Sequence, residues 1–195
     1  RYVHTRGALV AATEPLCAPE RRAEALAALA GHAREQGLRL LAMPVGAALA
    51  REARAQGLFA IPVGAEPVFD LEEYFGTADL LTGALARHPL ARALLKRGAE
   101  VFEAAPEDLC QDAPLRAELD EVAGEWLSGR DCLPLGFLAS VEPFARLERR
   151  RYFVLRARGR VQAFLAASPV MSAGRAVAWY FQDLPRRCDA RAGSA

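Results

Sequence analysis

Over about its first 100 residues the chain switches repeatedly between short strand patterns and helix patterns. Residues 38–43 are apolar apart from Arg39, and a short apolar run of this kind is typical of a strand buried on both faces. Residues 19–36 open with a proline and carry an apolar stripe, so they predict a helix. In chain order the predicted elements are strands at 2–4 and 8–12, a helix at 19–36, a strand at 38–43, a helix at 47–56, strands at 58–63 and 68–71, a helix at 78–97 broken at Pro89, and a strand at 101–103. This order predicts a mixed α/β arrangement, that is, an α+β fold class.

The second half predicts a helix followed by an antiparallel meander. Residues 114–127 predict an amphipathic helix whose apolar side packs against the body of the protein. Strand patterns at 152–158 and 161–167 flank Gly159 and predict a hairpin. A further strand is predicted at 176–182, so each half places antiparallel strands beside helices.

The composition excludes several classes of protein. The chain has 195 residues, 52% of them hydrophobic, which is enough to bury a core. No stretch approaches the roughly 20 uninterrupted apolar residues that a membrane-spanning helix needs. A Walker loop and a G-x-G-x-x-G motif are both absent, which argues against an NTPase or a Rossmann dehydrogenase. The four cysteines are scattered and no ligand spacing suggests a metal, so we expect no metal or other cofactor and a cytoplasmic location.

Charge is divided unevenly along the chain. Residues 1–140 carry 14 basic and 20 acidic side chains, a net charge of −6, whereas residues 141–195 carry 11 basic and 4 acidic ones, a net charge of +7. Seven of those arginines lie within residues 146–160. A basic surface attracts phosphate-bearing molecules, so tRNA, a phospholipid head group or a nucleotide is one interpretation. A solvated arginine-rich hairpin without such a partner is the other.

Several short segments, taken in their order and spacing, match a known family. In the second half they are Glu125-Trp126-Leu127, Gly136-Phe137-Leu138, Gly159-Arg160-Val161-Gln162-Ala163-Phe164 and Asp183-Leu184-Pro185-Arg186-Arg187. In the first half they are Glu14-Pro15, Gly57-Leu58-Phe59, Val63-Gly64, Phe69-Asp70-Leu71 and Lys96-Arg97-Gly98. With these segments the chain resembles the C-terminal catalytic domain of lysylphosphatidylglycerol synthetase, also called the multiple peptide resistance factor, and still more its soluble relatives of undefined function.

The resemblance implies two GNAT-like acyltransferase domains in tandem, joined through a basic helix. We expect the first domain at residues 1–104, a connecting helical segment at 105–135, and the N-terminal part of an incomplete second domain at 136–195. The implied activity transfers an aminoacyl group from aminoacyl-tRNA to a lipid hydroxyl, typically that of phosphatidylglycerol. The implied partners are therefore aminoacyl-tRNA and an anionic phospholipid head group, and a peripheral position at the inner face of the membrane would suit both.

The family's Asp-Leu-x-Arg element supplies the candidate catalytic residues. Asp183 and Arg186 match it, which implies that Asp183 orients or deprotonates the acceptor and that Arg186 holds a phosphate or carbonyl oxygen. A strand-end ion pair is the structural alternative for the two. The candidate phosphate- and tRNA-binding residues on the basic hairpin are Arg151, Arg156, Arg158 and Arg160. Strand alternation would place Arg156 and Arg158 on one face.

Two departures from the family accompany the match. Pro185 stands where the family commonly has methionine, and the family's membrane part and final strands and helices have no counterpart in these residues. A longer natural chain is the simplest expectation. An acyl-CoA-dependent GNAT-type acyltransferase and a non-catalytic binding module of the same fold stay open as alternatives, and the sequence assigns neither an amino acid, an acceptor nor an oligomeric state.

Overall fold

The computed structural model of the chain describes residues 1–71, 73, 88–111, 113–129 and 142–190. Over these residues it contains two β-sheets and five α-helices, so the mixed α+β fold class is confirmed. The residues up to Pro67 form one unit, and those described from Val68 onward form a second. Parts of the predicted helix at 78–97 and the Gly136-Phe137-Leu138 segment lie outside the described residues.

The first unit is a three-stranded sheet with two helices. Its elements are β1 (Tyr2–Thr5), β2 (Ala8–Ala12), α1 (Arg22–Glu35), β3 (Arg39–Met43) and α2 (Ala47–Ala55), with a short 3-10 helix at Pro19–Arg21. The strands lie in the order β1-β2-β3, with β1 antiparallel and β3 parallel to β2. The parallel pair requires a crossover, which α1 supplies. The apolar interior contains Leu9, Leu26, Ala33 and Leu49. Strands β1 and β2 form a hairpin that turns at Gly7, which has a φ of +74°.

The strands predicted at 58–63 and 68–71 are wrong. Residues 58–70 have no regular secondary structure, and the aromatic side chain of Phe59 is 98% exposed. An alternating apolar pattern is typical of a strand with one buried face, but it cannot show that a neighbouring strand is available.

The second unit is built on a four-stranded antiparallel sheet. Its elements are α3 (Pro89–Lys96), β4 (Glu100–Ala104), α4 (Pro106–Gln111), α5 (Ala113–Ser128), β5 (Arg151–Ala157), β6 (Arg160–Ser172) and β7 (Arg175–Asp183), with a short 3-10 helix at Leu147–Arg149. The strand order is β4-β5-β6-β7. Helix α5 packs on β6, and its buried Leu115, Leu119 and Val122 meet Tyr152 and Phe164 in the core.

Two local predictions in this unit are confirmed. The hairpin between β5 and β6 turns at Gly159, which has a φ of +77°. Helix α3 begins at Pro89, because proline is tolerated in the first turn, where its missing N–H has no helical partner.

The predicted domain limit at residue 104 follows β4, yet β4 pairs with β5 over Glu100–Ala104 and so belongs to the second sheet.

No helix in the described part of the chain is both long and apolar enough to cross a membrane.

Candidate functional site

The residues that follow β7 stay attached to β6. Beyond Asp183, the backbone N–H of Phe164 donates to the carbonyl of Pro185 at 3.1 Å, and the N–H of Arg187 donates to the carbonyl of Gln162 at 2.9 Å. We call residues 183–187 the terminal segment. Along it buried and exposed positions alternate: Asp183, Pro185 and Arg187 are buried, while Leu184 and Arg186 are exposed.

Asp183 is buried beside the guanidinium of Arg150, whose Nη1 hydrogen-bonds to backbone carbonyls rather than to the carboxylate. Its side chain is 6% exposed, and its Oδ2 lies 3.7 Å from the Nη1 of Arg150. That nitrogen donates instead to the carbonyls of Glu142 at 2.7 Å and Pro143 at 2.9 Å. Among the described residues, the Oδ2 of Asp183 is buried without a hydrogen-bond partner. Burial therefore raises the pKa of Asp183, and the attraction of Arg150 only partly opposes this.

Tyr152 completes a buried polar group with these two residues. Its side chain is fully buried, and its hydroxyl donates to the carbonyl of Pro143 at 2.7 Å. Burial raises the pKa of the Tyr152 phenol. We call Asp183, Arg150 and Tyr152 the Asp183 cluster. Together they tie the end of β7 and the start of β5 to the backbone at residues 142 and 143.

Arg186 points away from the Asp183 cluster. It is exposed, and the described residues provide it with no ion-pair partner. Its position in the alternation places it on the opposite side of the terminal segment from Asp183. The structure pairs Asp183 with Arg150, and the described residues show no ion pair between Asp183 and Arg186. Asp183 and Arg186 do not form one converging pair of side chains.

Arg187 anchors the other end of the terminal segment. Its guanidinium is 3% exposed and donates to the carbonyl of Val161 at 2.8 Å, to Glu121 at 2.6 Å and to Glu125. The hydrogen bond from Arg187 lowers the pKa of Glu121. We call these residues the Arg187 clamp. The clamp fixes the segment against helix α5 and strand β6.

Most of the arginines predicted to bind phosphate already have carboxylate partners. Arg151 donates to both carboxylate oxygens of Glu103, at 2.6 and 2.7 Å, which lowers the pKa of Glu103. Arg160 pairs with Asp189 at 2.5 Å. An incoming phosphate at either arginine would have to displace a carboxylate or share the cation with it.

Arg156 and Arg158 differ from each other. Arg156 lies 3.9 Å from Glu118, and its Nε is buried without a hydrogen-bond partner among the described residues. Arg158 is exposed in the turn with a φ of +57°, beyond the end of β5. Strand alternation does not reach Arg158, so the expectation that the two share a strand face is wrong. Of the four predicted residues, Arg158 is the one with no carboxylate partner in the described part of the chain.

Sequence reasoning missed Arg150, Tyr152 and Arg187. Strand alternation could have indicated Arg150 and Tyr152. Residues 150, 152 and 154 are two positions apart, which places them on one face of β5 and its extension, and Tyr152 and Val154 on that face are buried. Arg187 had no comparable local signal. Its partners lie 62 and 66 residues away in the chain.

The surface of the first unit has an open pocket of about 600 Å³ that is lined by Thr13, Glu14, Pro15, Leu16, Cys17 and Arg22. The Oε1 of Glu14 accepts a hydrogen bond from the N–H of Gly46 at 2.8 Å, and a Cβ at Gly46 would meet that same oxygen. Glu14 therefore serves as a structural contact between the end of β2 and the start of α2. Across the described residues, no group of three or more His, Cys, Asp or Glu side chains is placed to hold a metal ion.

Comparison with known proteins shows the family to which the chain belongs. The sequence matches the family described as phosphatidylglycerol lysyltransferase, C-terminal, over residues 2–187. The chain therefore belongs to this family. A comparison with the curated proteins finds no match.

Two solved structures share the fold. One is the C-terminal domain of a protein described as a lysylphosphatidylglycerol synthetase from Agrobacterium fabrum, with a TM-score of 0.75 and 21% identity over 99% of this chain and 58% of that one. The other is L-PGS from Bacillus licheniformis, with a TM-score of 0.68 and 18% identity over 99% of this chain and 56% of that one. The 195 residues thus span a little over half the length of either solved chain.

Proposed function

We propose that this chain takes part in moving an aminoacyl group from aminoacyl-tRNA to the hydroxyl of a phospholipid acceptor. The observation that carries the proposal is the family match over residues 2–187, whose description names a lysyltransferase acting on phosphatidylglycerol. We further propose that the two units correspond to two GNAT-like domains, the second of them incomplete in these residues. The presence of one sheet with flanking helices in each unit supports this division.

The reaction requires no added oxidant or cofactor. The acceptor hydroxyl oxygen bonds to the ester carbonyl carbon of the aminoacyl-tRNA, and the bond from that carbon to the ribose oxygen breaks. The proton of the acceptor hydroxyl is finally carried by the released ribose hydroxyl. The protein must therefore hold two phosphate-bearing substrates, stabilise the oxyanion and provide a path for one proton.

Arg186 is our candidate for the contact with a phosphate or carbonyl oxygen. Its exposure and its lack of an ion-pair partner in the described residues leave its five N–H donors available to a ligand. The neighbouring clamp at Arg187 holds the backbone that carries it. An exposed cation on an anchored segment loses little backbone entropy when it binds an anion, because the backbone is already ordered.

Asp183 is our candidate for orienting or deprotonating the acceptor, and its burial limits how it could act. Its Oδ2 is buried without a hydrogen-bond partner, so a proton or an acceptor hydroxyl would satisfy it. A raised pKa brings a carboxyl closer to the range in which it can accept and return a proton. To reach the acceptor directly, the carboxyl would need the substrate to enter beside Arg150.

The test measures transfer from charged tRNA to phosphatidylglycerol by the complete protein. We expect Arg186→Ala to lower kcat/KM by tenfold or more, because it removes charge-assisted hydrogen bonds to the substrate. Arg34→Ala is the matched control, since Arg34 is an exposed arginine on α1. Wild-type rates in Arg186→Ala and Asp183→Asn, with folding intact, would contradict the roles that we propose for these two residues. Binding of charged tRNA by the wild type without any transfer would favour a non-catalytic binding module. Saturable calorimetric binding of acyl-CoA, without transfer from tRNA, would favour the acyl-CoA alternative.

Binding of tRNA is tested separately through its dependence on salt. The double variant Arg156→Ala with Arg158→Ala should reduce the slope of log affinity against log salt, by about one for each phosphate that the protein no longer neutralises. Because Arg156 already lies near Glu118, the single variant Arg158→Ala should account for most of the change. Binding by the complete protein that does not change with salt would contradict the proposed role of these arginines in holding tRNA.

A further inference from the structure

Arg150 differs in burial from the arginine beside it. Its side chain is 10% exposed, whereas that of Arg149 is 68% exposed, with its Nε 3.7 Å from the Oε1 of the exposed Glu148. Taking a guanidinium out of water is costly unless its surroundings compensate for the lost solvation. The contacts of Arg150 therefore indicate what its burial serves.

The Nη1 nitrogen of Arg150 is committed to the backbone. It donates to the carbonyls of Glu142 at 2.7 Å and Pro143 at 2.9 Å, and a guanidinium NH2 group carries two hydrogens. Both hydrogens are thus used, although the same nitrogen lies 3.7 Å from the Oδ2 of Asp183. Arg150 consequently acts on the carboxylate through its charge and leaves the lone pairs of this oxygen open.

The neighbouring ion pair of Arg151 has the opposite arrangement. Arg151 donates to both carboxylate oxygens of Glu103, at 2.6 and 2.7 Å, so each oxygen of that carboxylate accepts a hydrogen bond. The Oδ2 of Asp183, by contrast, is buried without a hydrogen-bond partner among the described residues. An open buried acceptor costs stability. It is also what a carboxylate needs if it is to receive a proton from a substrate.

Arg150 supplies the charge that opposes the burial of Asp183. Strand β6 places the apolar Ala166 opposite Asp183 in the sheet. Burial raises the pKa of the Tyr152 phenol, which Arg150 and Arg116 of α5 only partly oppose, so Tyr152 faces the cluster as a neutral group. Burial also raises the pKa of Asp183, and the attraction of Arg150 opposes that rise. Without Arg150, the carboxyl would therefore keep its proton to a higher pH.

We propose that Arg150 is a positioning residue for the transfer reaction, which holds the Asp183 carboxyl charged and its Oδ2 free to receive the proton of the acceptor hydroxyl. The inference rests on the proposed function. As the hydroxyl oxygen bonds to the ester carbonyl carbon, its proton passes to Oδ2. As the bond from that carbon to the ribose oxygen breaks, the proton passes from Oδ2 to the ribose oxygen. Arg150 acts on both steps through Asp183.

The main experiment measures kcat/KM against pH for transfer from charged tRNA to phosphatidylglycerol by the complete protein, with each profile normalised to its own plateau. Arg150→Gln can still donate to a backbone carbonyl but has no charge, so its acidic limb should lie at higher pH. On that limb its normalised rate should be about tenfold below the wild-type rate, because the carboxyl has lost the opposite charge beside it. Arg150→Lys keeps the charge and should keep the limb close to the wild-type pH.

Two further variants serve as controls. Arg149→Gln removes the same charge one residue away, from an exposed position, so its normalised profile should match that of the wild type. Tyr152→Phe removes another hydrogen bond to the carbonyl of Pro143 without removing a charge, and its acidic limb should stay at the wild-type pH.

A purely structural Arg150 would lower the plateaus of Arg150→Gln and Arg150→Lys without displacing either limb, and that result overturns the proposal. Equal displacement of the limb in both variants also overturns it, because the charge would then not be what the carboxyl requires.

A second measurement observes the carboxyl without the reaction. The complete protein is labelled with carbon-13 at the aspartate side-chain carboxyls, and the signal of Asp183 is the one that Asp183→Asn lacks. We expect this signal to titrate at higher pH in Arg150→Gln than in the wild type, and near the wild-type pH in Arg150→Lys. If circular dichroism shows that Arg150→Gln does not fold, Arg150→Lys decides, since a titration displaced to higher pH in that variant overturns the proposal.

The two measurements separate this inference from the proposed function. Absence of transfer by the wild type would contradict the proposed function, while the carbon-13 titration would still show whether Arg150 holds the carboxyl charged. Transfer by the wild type, together with identical titrations of Asp183 in the wild type and Arg150→Gln, overturns the inference about Arg150 and leaves the proposed function standing.

Discussion

The two ends of the terminal segment hold charge in different ways. At one end, Asp183 lies 3.7 Å from a guanidinium nitrogen that donates to backbone carbonyls, and burial raises the pKa of the carboxyl. At the other end, Arg187 is buried but donates to three oxygen atoms, and its hydrogen bond lowers the pKa of Glu121. Proximity to an opposite charge is therefore not sufficient to lower the pKa of a carboxyl group. Hydrogen bonds to the charged form, and the exposure of the carboxylate, decide the direction of the shift.

The largest loss of stability is expected from removing the side chain of Arg187, at the end of the terminal segment that forms more hydrogen bonds. Arg187→Ala deletes a buried guanidinium, leaves the carbonyl of Val161 without this donor and brings Glu121 and Glu125 together without a cation. We expect the free energy of unfolding to fall by about 2–4 kcal/mol. Denaturant titration followed by circular dichroism measures the change. Arg160→Ala is the control, because both partners in its ion pair are about half exposed, and it should cost less than about 1 kcal/mol. Equal losses in the two variants would remove the distinction that we draw for the clamp.

At the Asp183 end, we expect a smaller loss of stability from replacing Tyr152, the uncharged member of the Asp183 cluster. Tyr152→Phe removes the hydroxyl that donates to the carbonyl of Pro143, while Arg150 continues to donate to the same oxygen. We expect a loss of about 1 kcal/mol in the free energy of unfolding, since the carbonyl stays satisfied and the ring still fills the core. Thermal and denaturant unfolding measure this loss. A cost as large as that of Arg187→Ala would mean that the phenol of Tyr152, rather than the guanidinium of Arg150, holds the backbone at residues 142 and 143.

The same comparison shows how far the sequence could be interpreted. The turn at Gly159 and the apolar side of α5 were predictable, because both depend on a few neighbouring residues and a fixed period. The pairing of β4 with β5 joins residues about 50 positions apart, and the clamp joins α5 to Arg187 over more than 60. Local patterns contain no information on such partners. The family resemblance identified Asp183 and Arg186, yet only the structure shows that these two side chains point to opposite sides.

The dependence of stability on pH distinguishes the two ends without disrupting the packing. The folded-state pKa of Asp183 is raised above its pKa in the unfolded chain. The contribution of Asp183 to the free energy of unfolding is therefore most favourable at pH values below the unfolded-state pKa, and it is lost as the pH rises through the folded-state pKa. Asp183→Asn, which keeps the shape and no longer titrates, should therefore be most stable relative to the wild type at neutral pH. This advantage should shrink as the pH falls through the raised pKa. Urea titrations of both proteins between pH 7 and pH 4 measure the difference, and an advantage that grows on acidification would contradict the assignment.

The smallest effect, and the one of opposite sign, is expected at Glu121. The hydrogen bond from Arg187 lowers the folded-state pKa of Glu121. The contribution of Glu121 to the free energy of unfolding is therefore present at pH values above the unfolded-state pKa, and it is lost as the pH falls through the lowered folded-state pKa. Glu121→Gln should be less stable than the wild type at neutral pH, and this deficit should disappear on acidification. Because the Glu121 carboxylate is largely exposed, added salt should also reduce the deficit, whereas it should have little influence on the buried Asp183. If Asp183→Asn and Glu121→Gln had pH profiles of the same sign, hydrogen bonding to the charged form would not be what separates the two ends of the segment.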